Sequence, residues 1–288
     1  MKTPAYTRHL ATILLIGTFL FSSCSSITSR IPERPGDLKA LSEAGELILF
    51  LKNQNFHLKT FKGVGRITFF ENEKKDLTTR VAWVGSIPDR LRIVLRSVSG
   101  QPVVSFASDG EWIYLLNHTR GKFYKRRSVN STMDRFFAIP VTSDDIVNIL
   151  AGRVSVDHYD SVAVIKNSSS GGRSPVISDD QTLVSAHKDS CAYQDGYILV
   201  LKKGWGNTCQ KIYLDADRKQ VCMVEKFYLT GGLKYRAEFK EMQDIEGYRV
   251  PSRLVLSTHD GSGFQLDVDR YLAGVSVSPS LFVLTPPE

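Results

Sequence analysis

The sequence predicts a mainly β protein: a single antiparallel sheet curled into an incomplete β-barrel, with short helices as a lid. Three observations carry this. About a dozen short segments rich in Val, Ile, Phe, Tyr and Thr follow one another with only turn chemistry between them. Helical periodicity is confined to two places, 38–58 and 131–151. Strand faces alternate where they are visible: Arg90-Leu91-Arg92-Ile93-Val94-Leu95-Arg96 puts three aliphatics on one side and three arginines on the other. A sheet of so many strands leaves edges open to stray pairing, and curling toward closure removes them.

In chain order, residues 1–23 come first as an export signal. Lys2 and Arg8 form a short positive region, and Ala11 to Phe21 is apolar but too short to span a bilayer. Residues 24–37 contain Pro32, Pro35 and Gly36 among polar residues and read as a flexible tether. The folded domain then occupies 38–288. Leu41, Ala44, Leu47, Ile48 and Leu51 recur at helical spacing, with Ser42 and Glu43 suited to a helix start.

Strands are expected at 61–71, 77–84, 90–97, 102–107, 112–117 and 122–127, broken by ENEKKD, SIPD, SVSGQ, SDGE and TRGK. The stretch 131–151 interrupts them. Ser131 or Thr132 caps a short helix ending before Pro140, and Ser143-Asp144-Asp145 starts a second one carrying Ile146, Ile149 and Leu150. The paired aspartates suit the helix dipole rather than acid catalysis. Residues 167–190 are polar and read as an insertion. Strands resume at 197–203, 208–215, 221–229, 233–241, 248–257 and 264–271, and 280–287 is expected as a last strand.

Charge and chemistry exclude several classes. The formal net charge is +7, and Lys2 and Arg8 of the signal supply two of those charges, so the rest is only mildly basic. That argues against nucleic acid as a partner. The six histidines are scattered, no C-x-x-C or H-E-x-x-H appears, and G-x-S-x-G is absent. No catalytic residue, metal site or cofactor is therefore assigned. Of four cysteines, Cys191, Cys209 and Cys222 follow the tether, enough for one disulfide with a thiol left over. Three pairings are open; Cys191–Cys209 would staple one polar loop.

The run Phe21-Ser22-Ser23-Cys24 resembles a bacterial lipobox. That resemblance implies a diacylglycerol on Cys24 with cleavage just before it, and Ser25 rather than aspartate implies the outer membrane, facing the periplasm. An ordinary cleavable signal is the alternative. Two further stretches are similar to the LolA/LolB family of periplasmic lipoprotein carriers and outer-membrane receptors. The first reads FKGVGRITF, then VAWVGSIPDRLRIVL, then SGQPVVSFASDGEWIY; the second is FFAIPVTSDDIVNILAG at 136–152. Residues 153–235 are not placed by this likeness.

The resemblance implies an incomplete barrel that binds acyl chains. Exposing a chain of roughly 15 methylenes costs about 12 kcal/mol at about 0.8 per CH₂, so transfer through water needs such a shelter. Ile67, Phe69, Leu91, Ile93, Leu95, Phe106 and Tyr114 are the candidate lining, with plain core packing as the alternative. Phe136, Phe137 and Ile139, beside Pro140, are the candidate lid, or else a buried helix corner. The receptor's membrane-facing leucine falls on Ser99, with Val98 the nearest apolar residue. The expected partners are lipoprotein acyl chains or phospholipid, a periplasmic carrier, and the membrane through the N-terminal lipid, with the protein a monomer. A lipid-binding sensor or envelope-assembly scaffold without transfer is the second reading.

Overall fold

Alternating apolar positions separated by turns produce thirteen strands among the described residues, all joined in one antiparallel sheet. The computed structural model describes residues 35–72, 74–128, 139–167, 195–218 and 220–287, with the backbone alone over 35–40 and at 167. The chain divides into two units, 1–39 and 40–288, and the sheet lies wholly in the second. Helix α1 (Pro35–Asn53) precedes the strands. Then come β1 (Thr60–Glu71), β2 (Lys74–Ser86), β3 (Arg90–Arg96), β4 (Pro102–Ser108), β5 (Trp112–Asn117) and β6 (Lys122–Arg127). Helix α2 (Ser143–Leu150) is followed by β7 (Ser161–Asn167), β8 (Gly196–Lys203), β9 (Asn207–Asp215) and β10 (Val221–Phe227). The last strands are β11 (Leu233–Ile245), β12 (Tyr248–Ser257) and β13 (Gly263–Ala273).

The expected curl into an incomplete barrel is not adopted. The strand order is β6-β5-β4-β3-β2-β1-β13-β12-β11-β10-β9-β8-β7, an open sheet whose two edges, β6 and β7, do not meet. Edge strand β6 shows why pairing stops there: Lys122, Lys125, Arg126 and Arg127 are all exposed on it, and charged edges resist further strands. The inner face is instead filled by helices and by residues 139–154. From α1 come Ala44, Leu47, Ile48 and Leu51; from the later segment come Ile139, Val141, Ile146, Val147, Leu150 and Val154.

Two pairs of facing residues explain how aromatic bulk fits on β1 and β2. Trp83 lies opposite Gly63, and Phe61 opposite Gly85. A Cβ on Gly63 would come within 2.2 Å of the Trp83 ring, and one on Gly85 equally close to that of Phe61. Each glycine thus leaves space that the opposite ring occupies.

Several local expectations need correcting. Residues 280–287 form no strand: a 3-10 turn (Pro279–Phe282) leads to an irregular tail. Prolines supply no N–H for a ladder, and Phe282 and Leu284 are buried instead. Strand β7 was unanticipated, because only Val162 and Val164 mark its alternation before the polar run begins. The Cys191–Cys209 pairing does not form. Cys209 is a free, buried thiol, its Sγ 3.4 Å from the Leu201 carbonyl, whereas Cys222 is disulfide-bonded. Asn167 pairs with Gly196, so the 168–195 connection departs and returns at the end of the sheet where β10 begins, while Cys209 sits near the opposite end.

Candidate functional site

Helix α2 covers the inner face, and its ends are fixed by sequence chemistry. Thr142 closes a capping box: its hydroxyl accepts from the Asp145 N–H at 3.1 Å, and the Asp145 carboxylate accepts from the Thr142 N–H. At the other end Gly152 takes a φ of +65°, and a Cβ there would lie 2.2 Å from the Arg249 carbonyl. The Tyr271 hydroxyl donates to the Leu150 carbonyl at 3.2 Å, and Asn55 Nδ2 donates to Ala151 and Arg249 carbonyls, both at 2.8 Å. The cover is therefore tied to the sheet at its C-terminal end by neutral hydrogen bonds.

Its N-terminal end is held by charge. Gln210, Lys226 and Tyr235 lie side by side on β9, β10 and β11, facing inward in a row that is otherwise apolar. Lys226 Nζ reaches Asp145 Oδ1 on α2 and Asp157 Oδ1 on the following segment, each at 2.7 Å. Tyr235 lines the same small pocket as Asp145 and Lys226. Gln210 fixes the same segment, accepting from the Asp157 N–H at 3.0 Å and donating to the Ser155 carbonyl at 2.8 Å. Burial alone would raise the Asp145 carboxyl, but the Lys226 ammonium and the Thr142 bonds outweigh it and hold it below its ordinary value. Burial likewise disfavours the charged lysine, yet Asp145 and Asp157 raise Lys226 above the usual value. Burial and the Asp145 charge push up Asp144 and Tyr235.

Between α2 and the sheet lies an apolar void of about 20 Å³, lined by Ile67, Val81, Trp83, Ile93, Ile146, Leu150, Leu254, Phe264 and Leu266. This is room for about one water, far from the roughly 300–1,000 Å³ of a ligand pocket. Trp83 Nε1 is buried with no hydrogen-bond partner among the described residues.

The anticipated lining divides into three groups. Ile67 and Ile93 line the void. Leu91 and Phe106 are buried in the same core beyond it, with Phe69 and Leu95 partly buried against that core. Tyr114 is misplaced in that list. It stands opposite Ala107, on the other face of the sheet from Phe106, in a separate cluster with Leu116 and Leu284, and its hydroxyl donates to Asp109 at 2.8 Å. Strand parity decides this: inward-facing Phe106 pairs with Leu115, so its neighbour Tyr114 faces outward.

Of the anticipated lid, Ile139 is fully buried in the core, while Phe136 and Phe137 lie outside the described residues, as does Cys24. Val98 is 99% exposed at the β3–β4 turn, and the Ser99 hydroxyl bonds that of Ser97 at 2.8 Å. The sequence reading missed Val81, Trp83, Leu254, Phe264 and Leu266 as lining. The alternation of Phe264 and Leu266 was visible, but nothing local says that β13 pairs with β1. It also missed Lys226, whose one signal was a lysine at the end of the apolar run VCMVEKF.

Among the described residues no group of three or more His, Cys, Asp or Glu could hold a metal ion, and no helix is long and apolar enough to cross a membrane. No protein-family model matches the chain, and neither does any curated protein sequence. Solved structures do match. A DUF1329 family protein from Desulfovibrio piger aligns with a TM-score of 0.56 at 12% identity, covering 85% of this chain and 97% of that one. A LolA superfamily protein from Nitrosomonas europaea gives 0.53 at 12% identity, over 84% and 97%. A domain from Vibrio parahaemolyticus, described as an outer membrane lipoprotein-sorting protein, gives 0.53 at 12% identity, over 85% and 96%. At such identity these likenesses establish the fold alone, one that this chain shares with those three proteins.

Proposed function

We propose that this chain is a lipid-anchored envelope protein that shelters the acyl chains of lipoproteins beneath helix α2 and assists their placement in the outer membrane. The observation that carries the reading is the all-apolar void between α2 and the inner face of β1, β2, β3, β12 and β13. The fold shared with a LolA superfamily protein and with a domain named for outer-membrane lipoprotein sorting supports it. The reading includes Cys24 as the lipidated residue, 1–23 as the signal, 24–37 as the tether and a periplasmic carrier as donor. It describes a binding protein and not an enzyme.

At about 20 Å³ the void cannot hold an acyl chain, so uptake requires α2 to move off the sheet. Ile146 and Leu150 would then give way to methylenes of the cargo, exchanging one apolar contact for another. Such an exchange stores little free energy, which suits a protein that must release what it takes. The test is native mass spectrometry of the protein purified from envelope membranes, followed by transfer of an acylated lipoprotein from a carrier. Bound acyl species and acceptance of cargo are expected. A protein that never binds acyl chains refutes the reading.

A second reading, lipid sensing or scaffolding without transfer, draws on the closed cover. The Lys226–Asp145–Asp157 cluster ties α2 at one end and Tyr271 with Asn55 at the other. Bound lipid with no transfer would favour this reading.

A further inference from the structure

The meander places the turns β1–β2, β3–β4, β5–β6, β8–β9, β10–β11 and β12–β13 at one end of the sheet. Two of these turns are two strand spacings apart, about 10 Å, and both display large apolar side chains to solvent. Trp205 at the β8–β9 turn is fully exposed, and at the β10–β11 turn Leu229 is 62% and Tyr228 46% exposed.

Neither turn needs these side chains for its own shape. Gly204 and Gly206 take φ of +63° and +88°, the Gly204 N–H donates to Asp160 Oδ2 at 2.6 Å, and the Gly206 N–H donates to the Gly204 carbonyl at 2.7 Å. At the other tip, the Tyr228 N–H donates to the Gly232 carbonyl and the Gly231 N–H to the Tyr228 carbonyl, both at 2.9 Å. The backbone is satisfied, and the apolar residues stand off it.

Charge indicates what covers them. Lys202 and Lys203 precede Trp205 at the β8 end of its hairpin, and Lys234 follows the second turn. None of the three enters an ion pair among the described residues. Asp160, the acid beside them, is turned onto the Gly204 amide. Exposed tryptophan and tyrosine in turns next to lysines without an ion pair among the described residues match the headgroup zone of an anionic bilayer, where rings take the interfacial layer and cations meet phosphates.

We propose that the β8–β9 and β10–β11 turns form a membrane-facing rim that seats Trp205 and Leu229 in the interfacial layer of an anionic bilayer, with Lys202, Lys203 and Lys234 on lipid phosphates. The occupant is a lipid surface, and the rim lies at the same end of the sheet as Val98. The inference adds to the acyl-binding reading and stands on separate residues.

The test uses the full chain reconstituted in vesicles of phosphatidylethanolamine with phosphatidylglycerol, against vesicles of phosphatidylcholine alone. Trp205 is isolated as the emission difference between the chain and Trp205→Phe, an exposed change that leaves near-UV circular dichroism as it was. In anionic vesicles only, that difference should shift to the blue as the indole leaves water, and brominated acyl chains should quench it. In Lys202→Gln/Lys203→Gln the ratio of engaged to free tips should fall on the order of thirtyfold. The inference is overturned if the difference emission stays that of a water-exposed indole, if quenching is equal on neutral vesicles, or if shielding requires an added protein. A chain that captures no acyl cargo but seats Trp205 in lipid fails the proposed function and leaves this inference standing; cargo capture with Trp205 in water does the reverse.

Discussion

Replacing Lys226 by methionine removes the cation under the cover while keeping most of its volume. Lys226 and Asp145 have side chains only 10% and 5% exposed, and Asp157 is 35% exposed. Without the ammonium, Asp145 keeps its capping role but stays buried with no counter-charge, next to Tyr235. Stranding one partner of a buried pair costs about 3–5 kcal/mol, and the depth of Asp145 puts this case in that range. Removing the charges together, as Lys226→Met/Asp145→Asn/Asp157→Asn, should recover more than half of that loss, since buried ion pairs give little net stability over uncharged replacements.

The assay is urea unfolding of all three proteins across pH. The folded pKa of Asp145 is depressed, so its contribution is present above the unfolded carboxylate value of about 3.9 and is lost as pH falls through the folded value. The folded pKa of Lys226 is raised, so its contribution is present below about 10.4 and is lost as pH rises through the folded value. Asp144, raised by burial, acts with the opposite sign in acid and partly offsets the first loss. In Lys226→Met burial governs Asp145, its pKa rises, and stability should climb as pH falls toward 5. A single-variant cost under about 1 kcal/mol, or a triple variant no better than the single, refutes this account of how α2 is held.

Leu150→Ala should cost about 2–5 kcal/mol in urea unfolding and enlarge the void; if acyl chains enter there, binding of a fluorescent fatty acid rises as stability falls. Gly63→Ala places a methyl 2.2 Å from the Trp83 ring and should cost about 1–3 kcal/mol, with a shift of tryptophan emission reporting the displaced indole. Thr142→Ala removes the capping hydroxyl and should cost about 1 kcal/mol, seen as a lower urea midpoint at unchanged slope. Val98→Asp, on a residue 99% exposed, should leave stability within about 0.5 kcal/mol, so any defect in membrane delivery is read directly at the β3–β4 turn.

Much of this protein is local in origin and was legible in the chain. Alternation and turn residues located twelve of the thirteen strands, because a pleated strand with one buried face must repeat every two residues. Helix α2 was readable from Ile146, Ile149 and Leu150, and it starts at Ser143 as the sequence suggests, with Thr142 as its cap. Ile67 and Ile93 were identifiable as inward-facing because their own strands carry the period.

What the chain could not specify locally is which strands become neighbours. The pairing of β1 with β13 joins residues about two hundred positions apart and brings Phe264 and Leu266 beside Ile67. The same long-range closure leaves β6 and β7 as separate edges, so the sheet stays open. Register across β4 and β5 sends Tyr114 to the outer face, a choice invisible within either strand. Lys226 meets Asp145 and Asp157 only once the cover lies on β10. Sequence by itself determined the elements and the period of each, since those depend on dihedrals and on one buried face. Tertiary structure decided edges, faces and partners, because they depend on contacts between distant segments that no local pattern encodes.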